Sequence, residues 1–250
     1  MMQAAGQLDS RTIALLALCA VWVGCASGYS RGEMDAALQS EKPTYVSSEL
    51  SVEEIERMKP QLELPARIAI APPVQAYQRW WGGYSRSTWS SEEVAVFESW
   101  KEPLRAAGVA QDLLVLPSSL VKDCDPSDAA CRLNALRAAA ARVHADALLI
   151  VNLATATDEY VNPGSVLYIS IVGMWLVPGS HRDALTVAEG VLIDNRNEYL
   201  YAFARGEGEK KSVRPVIYAD TGAVVNESRV EALKNFGSAF LDQARQLSVK

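Results

Sequence analysis

Histidine and cysteine are scarce in this chain of 250 residues, which has two of the former and four of the latter. Metal sites and most catalytic dyads need such side chains at defined spacings, and His144 and His181 lie far apart, with no cysteine or carboxylate cluster beside them. No Walker A, G-x-S-x-G, H-E-x-x-H or G-x-G-x-x-G motif occurs. We therefore expect no metal, no cofactor and no enzymatic activity.

Dense basic clusters are also lacking. The chain has 24 Lys and Arg residues against 30 Asp and Glu residues, which gives a formal net charge of −6. Proteins that bind nucleic acids present a basic patch to the phosphates, so we expect no nucleic-acid partner. Apolar residues make up 49% of the chain, without low-complexity tracts, and this composition predicts one folded domain.

The apolar run near the start of the chain is too short to cross a membrane. It extends over 13 residues, from Thr12 to Gly24, and follows Arg11. A spanning helix needs about 20 apolar residues, whereas the core of a secretory signal is this short. The run ends at Gly24-Cys25, and a small residue before a cysteine resembles the processing site of bacterial lipoproteins. We predict a signal peptide over residues 1–24 and acylation of Cys25, which would attach the chain to a membrane.

The sequence after Cys25 indicates a tether. Residues 26–48 are small and polar, with little periodic apolar content. Such segments act as flexible linkers and do not pack into a hydrophobic core. The alternative for Cys25 is a buried thiol at the end of a core helix. We assign residues 25–50 to a flexible tether and 51–250 to one periplasmic domain. Position 26 is Ala rather than Asp, which is compatible with sorting to the outer membrane, as the lipoprotein resemblance implies.

Strand and helix patterns alternate through the middle of the chain. Ser51 and Glu54 predict the capping box of a short helix that ends before Pro60. We then predict strands over 67–71, 113–117 and 147–151, a helix over 91–100 that Pro103 kinks or interrupts before Gly108, and an Ala-rich helix with Asp125 as N-cap and Pro126 in its first position. Strands separated by helices indicate right-handed crossovers and parallel pairing.

The last third of the chain predicts antiparallel strands and one helix. Apolar segments at 166–177, 185–194 and 199–204 are separated by turn residues. Gly82-Gly83 and Gly206-Glu207-Gly208 are interpreted as turns. An amphipathic helix is predicted over 226–247, with one apolar stripe of Val230, Leu233, Phe236, Phe240, Leu241 and Ala244. The predicted fold is α/β, with a single mixed sheet, parallel N-terminal strands, antiparallel C-terminal strands and helices packed on it.

Two candidate sites lie in the middle of the chain. The first is the pair Cys124 and Cys131, which six residues separate. The two cysteines form a disulfide in an oxidising compartment or remain free thiols in a reducing one. The second is an aromatic and basic segment, typical either of partner-binding hot spots or of rings that cover a sheet edge. Its candidate residues are Trp80, Trp81, Tyr84, Arg86 and Trp89.

Several segments together resemble the rhombotarget lipoproteins, a bacterial family associated with the rhomboid-type protease rhombosortase. They are residues 24–31 (GCASGYSR), 64–71 (LPARIAIA), 146–149 (DALL), 176–183 (LVPGSHRD) and 191–196 (VLIDNR). The resemblance implies a lipid-anchored envelope protein. A looser fold-level resemblance is to the curli-secretion lipoprotein and to lipoprotein activators of penicillin-binding proteins, which assemble or bind partners.

Taken with that resemblance, the sequence predicts a non-enzymatic lipoprotein that binds an envelope protein. One alternative is an envelope hydrolase built around Asp158, Glu159 and His181, which requires these side chains to meet in one pocket. Another is a homo-oligomeric secretion or assembly component, with the tryptophan-rich segment at the subunit interface.

Overall fold

A mixed five-stranded β-sheet with helices on both faces organises the domain. The computed structural model describes residues 50–73, 88–125, 128–161, 180–215 and 220–247. In chain order its elements are α1 (Val52–Arg57), β1 (Ala66–Ile70), α2 (Ser91–Ser99), α3 (Lys101–Ala106), β2 (Ala110–Val115), a 3₁₀ helix (Ser118–Leu120), α4 (Ala129–Arg142), β3 (Ala147–Val161), β4 (Ser180–Asp194), β5 (Leu200–Arg214) and α5 (Thr221–Leu247).

The sheet has the strand order β2-β1-β3-β4-β5. Strand β1 is parallel to both of its neighbours, β2 and β3, whereas β3, β4 and β5 pair in antiparallel fashion. This arrangement confirms the predicted α/β class with parallel N-terminal and antiparallel C-terminal strands. The three antiparallel strands have 15 residues each, while β1 has five and β2 has six, so the antiparallel part extends well beyond the parallel part.

Alternation along the central strands sends apolar side chains to both faces of the sheet. Leu149 belongs to a core cluster with Phe97 of α2 and Phe236 of α5, and all three are fully buried. Its neighbour Leu148 faces the other way, into a cluster with Leu133 of α4. The domain therefore has three layers, with α2, α3 and α5 on one face and α4 on the other.

Local capping explains where the first helices begin. The predicted capping box of α1 is confirmed, because Ser51 and Glu54 each accept a hydrogen bond from the other's backbone N–H. Ser90 and Glu93 form the same motif at the start of α2. The helix is interrupted at Trp100, between α2 and α3, as predicted, because Pro103 has no N–H to continue the helical hydrogen bonds.

The N-cap predicted for α4 was wrong. The helix begins at Ala129, and its N-cap is Asp128 rather than Asp125. The Oδ1 atom of Asp128 accepts a hydrogen bond from the backbone N–H of Cys131 at 2.8 Å. Both aspartates are good N-caps by type, so the local sequence alone did not distinguish them.

The interpretation of Gly206-Glu207-Gly208 as a turn was also wrong, because all three lie inside β5. A β-carbon at Gly206 would overlap the backbone N of Phe236 and lie 2.6 Å from the carbonyl oxygen of Ala232. The glycines let helix α5 approach the strand closely, and β5 continues to Arg214 instead of ending near Ala204.

The other C-terminal predictions differ mainly in their boundaries. Strand β4 begins at Ser180 rather than at residue 185, and α5 begins at Thr221 rather than at residue 226. Four members of the predicted stripe are buried, while Val230 and Leu241 are partly buried beside the same core. The predicted strand at 166–177 and the turn at Gly82-Gly83 lie outside the described residues.

Candidate functional site

A disulfide joins Cys124 to Cys131, with their Cα atoms 5.9 Å apart. Cys131 lies in the first turn of α4, and Cys124 lies in the connection that follows the 3₁₀ helix. The bond therefore ties this connection to the start of α4, next to the N-cap Asp128.

An open groove of about 510 Å³ lies between that connection and α4. Its floor is apolar, and the disulfide residue Cys131 also contributes to its wall. Two cationic side chains, Lys122 and Arg142, line the same groove, whose lining contains no acidic side chain. The apolar residues that line it are Leu120, Val121, Ala135 and Ala138.

A polar cluster surrounds the turn between β4 and β5. Asp194 is fully buried, and its Oδ2 atom accepts a hydrogen bond of 2.9 Å from the hydroxyl of Tyr201. That hydroxyl accepts two hydrogen bonds in turn, from the backbone N–H groups of Gln61 and Leu62, at 2.9 and 2.8 Å. Burial, followed by the contact with the Asp194 carboxyl, raises the pKa of Tyr201 to about 12.

Arginines connect the same turn to the rest of the domain. Arg137 of α4 donates to the carbonyl oxygen of Arg196 at 2.8 Å and forms an ion pair with Glu198. Arg196 donates to the carbonyl oxygen of Gln61 at 2.9 Å and pairs with Asp146 at 3.2 Å. Each arginine is paired with a carboxylate of opposite charge, so the cluster clamps the turn to α4 and to the segment before β1.

This clamp was not predicted from the sequence, although the turn was. The hydrogen bond from Gln61 to Tyr201 joins positions 140 residues apart. A buried aspartate at the end of a strand, beside an arginine and tyrosines, was the available signal. A smaller groove of about 390 Å³ lies beside the clamp, between α1 and Asn197.

A buried ion pair links α2 to α5. The carboxylate of Glu93 is fully buried and accepts a hydrogen bond of 2.6 Å from Nε of Arg229, whose side chain is 13% exposed. Its other oxygen accepts from the backbone N–H of Ser90 at 2.8 Å, within the capping box. One carboxylate therefore serves both the start of α2 and the contact with α5.

Trp89 is the one residue of the predicted aromatic patch that the structure describes, and it belongs to the core. Its ring packs edge-to-face on Phe97 with centroids 4.9 Å apart, and its Nε1–H donates to the carbonyl oxygen of Ala71 at 2.9 Å. At 9% exposure the ring packs in the core, so of the two alternatives for this residue the structure favours packing over a partner contact. The other four predicted residues, Trp80, Trp81, Tyr84 and Arg86, lie outside the described residues, as does Cys25.

Of the predicted hydrolase residues, Asp158 and His181 line neither groove. In the sheet register Asp158 lies opposite Asp183, Glu159 opposite Arg182, and His181 opposite Tyr160. Within the described ranges, no group of three or more His, Cys, Asp or Glu side chains is placed to hold a metal ion.

His144 has a structural position at the end of α4. It is exposed and has a φ of 55°, in the left-handed region, and its N–H donates to the carbonyl oxygen of Ala141 at 3.0 Å. The next N–H, of Ala145, donates to the carbonyl oxygen of Ala140. These two bonds form a Schellman motif, in which glycine usually occupies the position of His144.

No family model matches the chain, and no curated protein matches it. Solved structures with some likeness include lipoprotein GNA1162 from Neisseria meningitidis, with 15% identity and a TM-score of 0.32 over 64% of this chain and 90% of that one. The PelC dodecamer from Paraburkholderia phytofirmans has 14% identity and a TM-score of 0.30 over 69% and 87%. Protein XCC0632 from Xanthomonas campestris, of family DUF330, has 12% identity and a TM-score of 0.35 over 76% and 91%.

These likenesses are to bacterial proteins, one of them described as a lipoprotein, and they are too weak to support a functional conclusion. Among the helices that the structure describes, none has both the length and the hydrophobicity needed to cross a membrane.

Proposed function

We propose that this chain is a lipid-anchored protein of the bacterial cell envelope, acylated at Cys25, which presents its α/β domain to a protein partner and catalyses no reaction. The observation that carries the proposal is the disulfide between Cys124 and Cys131, which agrees with the lipoprotein signal predicted over residues 1–24. Disulfides persist in oxidising compartments such as the periplasm and are rare in the cytosol. Two unrelated features of the chain therefore support the same compartment.

The proposed anchor has the strength that stable attachment needs. A single acyl chain binds membranes only marginally, whereas lipoprotein maturation adds a diacylglycerol group and often an N-acyl chain. A flexible tether over residues 25–50 has a root-mean-square reach of about 25–30 Å. The folded domain would therefore stand clear of the lipid headgroups, on the periplasmic face of the outer membrane.

A binding role agrees with the character of the polar cluster at the β4–β5 turn. Its carboxylates and guanidinium groups pair with one another and with backbone groups, so they hold the fold together. The contact with the partner is assigned to the remaining predicted residues, Trp80, Trp81, Tyr84 and Arg86, because these residue types are enriched in interface hot spots.

The anchor is tested by comparing Cys25→Ser with Cys19→Ser. The second variant removes the other cysteine of the predicted signal, which follows Leu18 rather than a small residue. Wild type and Cys19→Ser should fractionate with membranes and have a mature mass that begins at an acylated Cys25. A Cys25→Ser protein that stays in the membrane fraction with the wild-type mass would overturn the proposal.

The compartment is tested independently by thiol labelling of protein extracted from envelopes without reduction. We expect Cys124 and Cys131 to resist labelling until a reductant is added. If both react before reduction, the compartment is reducing and the argument from the disulfide fails.

The partner is tested by crosslinking in intact envelopes. A Trp80→Ala/Trp81→Ala double variant should lose the crosslinked species that wild type forms, while a Tyr199→Ala variant, remote in sequence, should keep it. Native mass spectrometry of the wild-type protein in mild detergent separates a hetero-complex from a ring of identical subunits. A species unchanged by the tryptophan substitutions would contradict this assignment.

A further inference from the structure

We propose that the groove between residues 118–122 and α4 binds a single-chain anionic amphiphile, such as a fatty acid, with its acyl chain on the apolar floor and its carboxylate between Lys122 and Arg142. None of the residues that line this groove belongs to the predicted anchor segment or to the aromatic residues to which the partner contact is assigned.

The groove has the size and lining of a small-molecule site. Its volume of about 510 Å³ lies within the range of roughly 300–1,000 Å³ that is usual for ligand pockets. Leu120 and Val121 are half-buried on one wall, and Ala135 and Ala138 of α4 form the other. Small side chains on the helix leave space at its surface, which an acyl chain would fill with release of water from apolar area.

Charge determines which kind of ligand suits the groove. Lys122 and Arg142 both line it and are exposed, and the lining contains no acidic residue. In the part of the chain that the structure describes, neither cation forms an ion pair or a side-chain hydrogen bond. Two like charges at one groove are relieved by an anion, and a guanidinium binds a carboxylate with two parallel hydrogen bonds. A neutral or cationic amphiphile lacks this contribution.

The disulfide gives the groove a fixed shape. Cys131 lines the groove and is bonded to Cys124, two residues after Lys122 in the sequence. The wall that carries Lys122 is thereby tied to α4, which carries Arg142. A preorganised site loses less conformational entropy on binding than a mobile one does.

The test is photolabelling of the purified full chain, in the presence of lipid vesicles, with a dodecanoic acid that carries a terminal diazirine. Peptide mapping after reduction should find the label on residues 118–122 and on α4. Excess dodecanoate should compete with the probe, whereas acetate, which has no acyl chain, should not. The methyl ester of the probe, which has no charge, should not label these residues. Labelling by the ester to the same extent would show that the cations play no part and would overturn the proposal.

Two variants keep the test specific. Ala138→Trp fills the groove from an exposed helical position and should abolish the label without loss of folded protein. Lys122→Glu/Arg142→Glu should reduce labelling by about tenfold, equivalent to ~1.4 kcal/mol of binding free energy. The matched charge reversal Lys234→Glu, at an exposed position on α5, should leave labelling unchanged.

Equal labelling of Ala138→Trp and wild type would contradict the proposal. The readout is modification of groove residues, so it is independent of whether Cys25 is acylated. A failure here and a failure of the proposed anchor are therefore distinguishable.

Discussion

Gly206 of β5 lies directly against the backbone of Phe236 in α5, with no side chain between strand and helix. A β-carbon at position 206 would also come within 2.6 Å of the Cα atom of Phe236. Backbone atoms of a packed helix cannot move aside as the end of a flexible side chain does. The Gly206→Ala variant must therefore displace α5 from the sheet, and we expect a loss of about 3 kcal/mol in the free energy of unfolding, measured in urea.

The control for this variant is Gly222→Ala, near the start of α5. There the nearest atom to an added β-carbon is Oδ1 of Asp220, at 3.2 Å, at the end of a side chain. Alanine favours a helix over glycine, so this variant should be neutral or more stable by up to about 1 kcal/mol. If both substitutions had the same effect, the close approach of β5 and α5 would be refuted.

The half-buried hydroxyl of Tyr201 makes the free energy of unfolding depend on pH in the alkaline range. Its pKa is about 12 in the folded protein, against an ordinary value of 10.0, so its contribution is fully present below pH 10 and is lost as the pH rises toward 12. Tyr201→Phe should remove this dependence. At neutral pH it should cost about 1–3 kcal/mol, because Asp194 loses its donor and two backbone N–H groups lose their acceptor.

Urea unfolding of wild type and Tyr201→Phe across this pH range provides the measurement. Tyr199→Phe serves as the control, since its ring packs 5.0 Å from that of Tyr201 and only its hydroxyl is removed. Parallel pH profiles for wild type and Tyr201→Phe would contradict the assigned pKa.

Removing one partner of the buried ion pair between Glu93 and Arg229 should lower the free energy of unfolding strongly. Glu93→Gln leaves the guanidinium of Arg229 uncompensated and weakens the cap of α2, so we expect a loss of about 3–5 kcal/mol. Adding Arg229→Met should recover part of the loss, which a double-mutant cycle in urea measures. Glu102→Gln, in the exposed pair with Arg105, should cost less than about 0.5 kcal/mol. Equal losses at positions 93 and 102 would show that Glu93 is not buried in a pair.

The left-handed backbone of His144 makes it a site for stabilisation. Glycine adopts this conformation without the steric cost that a β-carbon brings, so His144→Gly should raise the free energy of unfolding by about 1 kcal/mol. Ala141→Gly, at an exposed position inside the last turn of α4, should lower it by about the same amount. Thermal unfolding of the two variants checks the opposite signs, and a destabilised His144→Gly would exclude the Schellman motif.

Local pattern predicted those elements whose causes are local. The capping box at Ser51 and the break near Pro103 depend on residues within one or two helical turns, and both are confirmed. Strands β1 and β3 begin with apolar runs between turn or helix signals, and both were found near their true starts, although β3 continues to Val161, beyond the predicted run at 147–151.

Long-range contacts explain the predictions that failed. Gly206 has the local appearance of a turn residue, and only the approach of α5, about 30 residues later, places it in a strand. Trp89 lies next to a segment rich in aromatic and basic residues, yet its ring joins the core and its Nε1–H bonds to the carbonyl oxygen of Ala71, which follows β1. The bonds of Tyr201 to Gln61 and Leu62 cross most of the domain, so no sequence window contains both ends.

The position of β1 in the sheet has a consequence for how the chain acquires its structure. Synthesis delivers a protein from its N-terminus, so β1 emerges before either of the strands that flank it. One of those, β3, follows about 80 residues later, and β4, the antiparallel partner of β3, comes later still. Strand β1 can therefore pair early with β2, whereas its other edge stays open until β3 has emerged, and contacts so distant in sequence form slowly. The parallel part of the sheet is therefore completed late, when β3 joins the open edge of β1.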